Sequence, residues 1–200
     1  VHHASHELNN PLTAIQGECE ITLIRERSKD EYIEALERIS TESGRMIQII
    51  RQLLQLSAAM DGKDCEGMET IAWADFLRQF ADDERVSLRV KADKPRTIVA
   101  NPYLLKIAMQ NIVRNALKYS KEQVVITLDN NQLTVADRGI GIPKSELPLI
   151  LQPFYRASNT YAYQGNGIGM SLSAQIFKLY GIKMTCLLYT SPSPRDATLS

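Results

Sequence analysis

The second to eleventh residues, HHASHELNNP, place a histidine, His6, directly before a carboxylate, Glu7. An imidazole titrates near neutrality and keeps one free lone pair, so it can attack an electrophile while a neighbouring carboxylate orients or takes the other ring proton. This chemistry requires an electrophilic group to be delivered to His6. On position alone, His6 also fits an ordinary surface histidine near a helix end, and we interpret His2 and His3 in that way.

Two amides and a cation on a predicted helix over 102–119 could hold a phosphate group. Asn111 and Asn115 are four residues apart, and Lys118 and Tyr119 follow after three and four more, so all four share one side of a helix. Amide oxygens can complete a magnesium shell made of water and phosphate oxygens, and a lysine adds positive charge. Standing alone, two solvated amides on an exposed face would explain the pair as well.

Two glycine-bearing segments follow this helix. Asp137-Arg138-Gly139-Ile140-Gly141 ends a predicted strand, which places a carboxylate where it could read the amine of a base and lets backbone approach a ligand closely. Gly165-Asn166-Gly167-Ile168-Gly169 precedes a helix whose N-terminus can hold a phosphate. Neither segment is a Walker loop or a dinucleotide fingerprint. Between them, Pro153-Phe154-Tyr155-Arg156 supplies two aromatic anchors, either for a mobile lid or for core packing.

The composition is that of a globular protein. The chain has 200 residues, 44% hydrophobic and 23% charged, with Lys plus Arg equal to Asp plus Glu. A balanced charge gives no general affinity for nucleic acid or acidic membranes. The cysteines, Cys19, Cys65 and Cys186, show no paired spacing, which suits a reducing cytoplasm. We find no signal peptide and no apolar run of roughly 20 residues, and a chain that begins with Val suggests a fragment.

The elements that must position these groups begin with two helices, predicted over residues 1 to about 27 and over 31–57. Apolar residues recur in the second at heptad spacing, and Ser28 or Asp30 can cap it. A short polar link makes an antiparallel hairpin, and because two helices cannot cover their own apolar stripes we predict a homodimer with a four-helix bundle. Pro11 is expected to bend the first helix just after His6. Heptads alone would also fit a plain coiled coil.

After a linker predicted at 58–70, the pattern becomes mixed α/β. Helices are predicted at 73–80, 102–119 and 170–180, and strands at 86–90, 97–100, 123–128, 132–136 and from 180 to 185.

The order of these motifs resembles that of bacterial sensor histidine kinases. SHELNNPL resembles their H box, NIVRNALKYS the N box, DRGIGI the first glycine box, PFYR the F box and GNGIGMSL the second glycine box. The resemblance runs from about residue 1 to 185, with the boxes in family order. It implies a dimerisation and phosphoacceptor hairpin at 1–57, followed after the 58–70 linker by a Bergerat-type ATP-binding α/β sandwich at 71–185.

The resemblance also implies roles. His6 would be the phosphoacceptor and Glu7 its general base, while Asn10 matches the position that orients water when related kinases dephosphorylate their partner. The implied cofactors are ATP and Mg²⁺, the implied partner is a response regulator that receives the phosphoryl group on an aspartate, and the implied location is cytoplasmic, with a membrane-bound sensor region missing.

Within the ATP domain, Asn115, helped by Asn111, would hold magnesium, Lys118 would contact phosphate, Tyr119 would pack near the adenine and Asp137 would read its amine. Gly139 and Gly141 would shape the adenine end of the pocket. Gly165, Gly167 and Gly169 would form the lid hinge.

Two other functions use related parts. The gyrase, Hsp90 and mismatch-repair ATPases share the ATP fold, but they carry a water-activating Glu where this chain has Asn111. A dimerising scaffold would keep the hairpin and could discard the boxes, which are all present here.

The family's sheet continues with further strands, but from Cys186 onward the sequence changes character. Residues 186–200 match the translation of a transposase-based sequencing adapter, so we expect them to be non-native and the sheet to be truncated; a natural Ser/Pro-rich tail is the compositional alternative. Reading the source DNA across this boundary tests the expectation, since a continuous genomic match would contradict it.

Overall fold

The computed structural model describes residues 2–61, 67–130, 132–163 and 165–187. Its first part is two long helices, α1 (His2–Leu23) and α2 (Lys29–Asp61). Ser28 caps α2 reciprocally: its hydroxyl accepts from the Glu31 N–H at 3.2 Å, and its own N–H donates to the Glu31 carboxylate at 2.8 Å. α1 ends earlier than predicted because the Arg27 guanidinium reaches back and donates to the Ile21 carbonyl at 2.7 Å.

The two helices pack as the predicted hairpin. Arg38 of α2 meets Glu18 of α1 at 2.7 Å, and α1 continues as a helix through Pro11. Much of the apolar stripe stays open, since Leu36 and Leu54 are 64% and 66% exposed. The single chain therefore does not cover the face that the sequence assigned to a four-helix bundle.

The second part is a mixed α/β unit. Its elements are β1 (Glu69–Ala72), α3 (Trp73–Arg78), β2 (Val86–Val90), β3 (Thr97–Ala100), α4 (Pro102–Tyr119), β4 (Val124–Leu128), β5 (Leu133–Ala136) and α5 (Gly169–Leu179). The strands form two sheets. In the larger, β4 lies between β2, to which it is parallel, and β5, to which it is antiparallel. In the smaller, β1 pairs antiparallel with β3.

The core lies between the larger sheet and the two helices α4 and α5. Alternate residues of β4, Val124, Ile126 and Leu128, are buried and meet the apolar face of α4. The Ser173 hydroxyl of α5 donates to the Ala108 carbonyl of α4 at 2.9 Å, which ties the helices together. α2 joins this core through Ile49, which is 1% exposed. The expected hairpin followed by an α/β layer is confirmed.

Besides the end of α1, the end of α2, the unpredicted strand β1 and the region after residue 180 differ from prediction. α2 continues to Asp61, because Ala58-Ala59-Met60 favours helix. β1 begins at Glu69, so both elements include residues of the predicted 58–70 linker. Residues 62–66 of that linker lie outside the described residues. The strand predicted from 180 to 185 is wrong. Gly181 turns the chain at a φ of +70°, and although Ile182 and Met184 pack against the core, no described residue from 181 to 187 joins a ladder. In the described ranges, no helix is long and apolar enough to cross a membrane.

Candidate functional site

α4 positions the predicted phosphate-binding face. The Asn101 side chain caps the helix by accepting from the N–H groups of Tyr103 and Leu104, and Pro102 occupies the first turn. The apolar face of the helix is buried in the core. Asn111, Asn115 and Lys118 therefore lie half-buried on the side that borders an open cleft of about 1680 Å³.

Asn111 meets the second glycine segment. A Cβ built on Gly169 would lie 3.5 to 3.6 Å from the Asn111 side chain, so the start of α5 rests on this amide. The Asn111 Nδ2 is buried and has no hydrogen-bond partner among the described residues. A buried amide without a partner is unusual, and it indicates a group that a ligand would satisfy. Asn115, one turn later, borders the same space.

Lys118 connects α4 to both the glycine loop and the aromatic residues. Its ammonium donates to the Tyr119 hydroxyl at 3.1 Å and lies 4.6 Å from the centre of the Tyr119 ring. The same nitrogen lies 3.0 Å from the position that a Cβ of Gly165 would take. Tyr163 packs edge-on against Tyr119, with ring centres 4.9 Å apart. A positive charge therefore borders the loop expected to hold phosphates.

The first glycine segment packs against the end of α4. The N–H of Gly139 donates to the Asp137 carboxylate at 2.8 Å, and the N–H of Ile140 donates to the Tyr119 carbonyl at 3.2 Å. The Gly141 carbonyl accepts from the Asn159 side chain at 3.0 Å. Asp137 is exposed and borders the cleft, so its second oxygen can accept a hydrogen bond from a ligand.

Gly167 has no room for a side chain. Its φ is +67°, and a Cβ there would lie 2.6 Å from backbone atoms of Phe154 and Tyr155. The Phe154 N–H donates to the Gly167 carbonyl at 2.9 Å, and Phe154 itself adopts a φ of 66°. Phe154 also packs against the core, which favours the core-packing interpretation for this aromatic, whereas Tyr155 borders the cleft.

Two features of the cleft were missed from the sequence. Arg156 donates from its guanidinium to the carbonyls of Thr160, at 2.9 Å, and Tyr163, so it braces the segment between the glycine groups. The polar side chains of α2, among them Arg45 and Gln52, form a second wall of the cleft. The α2 wall has no local signal, because it joins residues far apart in the chain. The Arg156 bonds span only four and seven residues, but they follow no helix or strand period that the sequence would reveal.

Cys186 lines the cleft near Asp137. It is half-buried, and burial raises the pKa of its thiol, with the nearby negative charge of Asp137 contributing as well. The last described residues therefore pass beside Asp137.

The His6 and Glu7 side chains lie outside the described part of the chain, but their backbone belongs to α1. In the antiparallel hairpin, Glu18 of α1 pairs with Arg38 of α2. His6 lies twelve residues before Glu18 and Ile50 lies twelve residues after Arg38, so His6 and Ile50 lie at the same height along the hairpin. This is the level at which α2 borders the cleft. Asn10, one turn after His6, is exposed.

Comparison with known proteins agrees with this arrangement. Residues 1–62 match the family model of the His Kinase A (phospho-acceptor) domain, and residues 100–199 match that of the histidine kinase-, DNA gyrase B- and HSP90-like ATPases, an interval that includes most of residues 186–200. Sensor histidine kinase CpxA of Escherichia coli K12 is 33% identical over 181 residues, covering 84% of this chain and 38% of CpxA. Sensor histidine kinase YkoH of Bacillus subtilis is 29% identical, covering 92% of this chain and 43% of YkoH.

The structure of the histidine kinase AdeS from Acinetobacter baumannii shares the fold, with a TM-score of 0.60 at 17% identity over 87% of this chain and 86% of that one. The chain spans about two fifths of the length of the curated relatives named above. The two family models together match most of the sequence. The chain therefore belongs to the sensor histidine kinases of two-component systems and carries the two domains of their catalytic core.

Proposed function

We propose that this chain is an ATP-dependent protein-histidine kinase that phosphorylates its own His6 and passes the phosphoryl group to an aspartate of a response regulator. The observation that carries the proposal is the meeting of three distant segments at one cleft. Gly169 rests on Asn111, Gly165 approaches Lys118, and Gly139 packs on Tyr119. Each segment alone is weaker support for a nucleotide site than the three segments together.

The chemistry of the cleft fits a nucleoside triphosphate. Asp137 would accept from the adenine amine and Tyr119 would pack near the base. Lys118 and the loop of Gly165, Gly167 and Gly169 would hold the phosphates, with the N-terminus of α5 facing them. Gly139 and Gly141 would shape the adenine end.

Magnesium fits the two amides of α4. The amide oxygens of Asn111 and Asn115, two side chains that border the cleft, would supply ligands to the ion. When bound, the ion neutralises charge that develops on the phosphates. A water-activating carboxylate is replaced by Asn111, which favours transfer to a histidine over the hydrolysis performed by gyrase-type ATPases.

In the transfer step, a lone pair on an imidazole nitrogen of His6 attacks the γ-phosphorus and the bond to the bridging oxygen breaks, which releases ADP. Glu7 accepts the imidazole proton. Positioning and charge neutralisation supply most of the rate enhancement. The phosphoramidate then transfers to a regulator aspartate, and Asn10 would orient water in a phosphatase reaction on the phosphorylated regulator.

Homodimerisation through the hairpin follows from the open apolar face of α1 and α2, on which Leu36 and Leu54 are more than half exposed. A second copy would cover this face in a four-helix bundle. We propose a cytoplasmic location for this part of the protein, with a sensor region outside the chain described here.

The test is incubation with γ-labelled ATP and magnesium of this chain and of His6→Gln. We expect acid-labile, alkali-stable label on the parent and none on the variant. Label that persists in His6→Gln would contradict the assignment of His6. An unlabelled parent that still binds ADP would contradict autokinase activity in this chain.

A further inference from the structure

The face of α2 formed by Ile49, Gln52 and Leu53 contacts the α/β unit beside the second glycine segment. These positions are three and four residues apart, so they project from one side of the helix. Ile49 is 1% exposed and lies in the core with α5, and Leu53 packs against the same cluster. Ile49 and Leu53 pack α2 against the core, and this packing places the polar Gln52 beside the second glycine segment.

Gln52 of α2 forms a hydrogen bond with the second glycine segment. The Asn166 Nδ2 donates to the Gln52 Oε1 at 2.7 Å across 114 positions of sequence. The other end of the same Asn166 amide accepts from the Ile168 N–H at 3.2 Å, inside the loop. The amide is therefore held at both ends, by its own loop and by the hairpin.

The loop needs such an anchor because three of its five residues are glycines. Glycine loses more conformational freedom on ordering than any other residue. A loop ordered before the ligand arrives avoids this entropic cost at the moment of binding, and the affinity rises accordingly. The left-handed conformation of Gly167, at a φ of +67°, lies directly after Asn166, so a fixed Asn166 also limits where that turn can move.

We infer that Gln52 is a positioning residue of the nucleotide site, which holds Asn166 so that the loop 165–169 is preorganised for phosphates while α2 is docked. This inference rests on the proposed nucleotide binding. It makes nucleotide affinity depend on the position of the hairpin, and by thermodynamic reciprocity bound nucleotide strengthens the docking of α2.

The test is ADP binding, measured by calorimetry with magnesium on the 200-residue chain, because binding is separable from phosphoryl transfer. Gln52→Ala removes the acceptor. Asn166→Ser keeps a side-chain oxygen for the Ile168 N–H but cannot reach Gln52. We expect each variant to weaken ADP binding about three- to tenfold, the range of one neutral hydrogen bond. The double variant should bind no more weakly than either single variant, since both remove the same contact.

Gln55→Ala is the matched control. Gln55 lies one turn further along α2 and donates to the Tyr103 hydroxyl of α4 at 3.4 Å, so its loss also removes a contact between α2 and the α/β unit, at a distance from the loop. We expect ADP affinity within twofold of the parent. Thermal melting without nucleotide separates general destabilisation from the loop effect, because a purely structural role would lower the melting temperature and leave the ADP dissociation constant of the folded protein unchanged.

Equal ADP affinity in Gln52→Ala and the parent would overturn the inference alone. Losses that multiply in the double variant would also overturn it, because the two side chains would then act independently. A parent chain that binds no ADP would overturn the proposed nucleotide site, and the inference with it.

Discussion

Gly139 lies so close to Tyr119 that a Cβ on the glycine would stand 2.5 Å from the tyrosine carbonyl oxygen. The same carbonyl accepts from the Ile140 N–H, so it cannot move away without losing a hydrogen bond. The first glycine segment and the end of α4 are thereby locked together by backbone contact. This contact places Asp137 and Tyr119 at one end of the cleft.

Gly139→Ala should therefore destabilise the protein and weaken ADP binding. Overpacking against backbone costs about 1 to 3 kcal/mol. Gly44→Ala is the control, because a Cβ at this exposed position in α2 meets nothing within 4 Å, and alanine favours helix. Urea denaturation of both variants measures the free energy of unfolding. A Gly139→Ala variant as stable as the parent would show that the segment can shift.

Asn115→Ala should remove most of the effect of magnesium on nucleotide binding. The amide oxygen is a candidate ligand, and its loss leaves the ion one protein ligand fewer. Titration of ADP with magnesium and with EDTA gives the ratio of the two dissociation constants, which should fall toward one in the variant. Gln110→Ala, on the exposed side of the same helix, should keep the parent ratio. A full magnesium effect in Asn115→Ala would refute the assignment.

Asp137→Asn should reduce discrimination between adenine and hypoxanthine. The carboxylate is expected to accept from the exocyclic amine of adenine, which hypoxanthine lacks, and sites built around such a bond reject analogues that cannot form it. We expect the parent to prefer ADP over IDP by at least about tenfold, and the variant to show a smaller preference. The measurement is competitive displacement of a fluorescent nucleotide. If the variant discriminated as well as the parent, the base would be read by other groups.

The Glu18–Arg38 pair predicts a pH-dependent contribution to stability. The hydrogen bond from Arg38 lowers the pKa of Glu18 below its ordinary value of 4.5. A carboxyl with a depressed pKa in the folded state stabilises the fold above its unfolded pKa, and this contribution is lost as the pH falls through the lower, folded pKa. Glu18→Gln should therefore melt below the parent at pH 7, by about 2 °C because the pair is at the surface.

That difference should shrink as the pH falls below the ordinary carboxyl range. Glu26→Gln, an exposed change between the two helices, should match the parent melting temperature throughout. A difference between Glu18→Gln and the parent that is the same at pH 7 and pH 3 would mean that packing, rather than charge, causes it.

Several local elements could be predicted from the sequence alone. The bounds of α4 follow from the Asn101-Pro102 start and from a 3.6-residue apolar period, and they place Asn111, Asn115 and Lys118 on one side without further information. The strands β2 and β3 are also predicted from their own residues, which are rich in valine and other strand-favouring types. By contrast β1 was missed, because its four residues, two exposed and two half-buried, show no clear alternation of apolar and polar side chains and form a strand by pairing with β3.

The contacts that assemble the cleft could not be predicted in this way. The Asn166–Gln52 hydrogen bond and the packing of Tyr163 on Tyr119 each join separate parts of the chain. Helix periods, caps and turns are set by neighbouring residues, so the sequence alone determined the helices and the chemistry each one carries. Which side chains of separate elements meet depends on how the elements pack, and the tertiary structure therefore decided that α2 forms the second wall of the cleft.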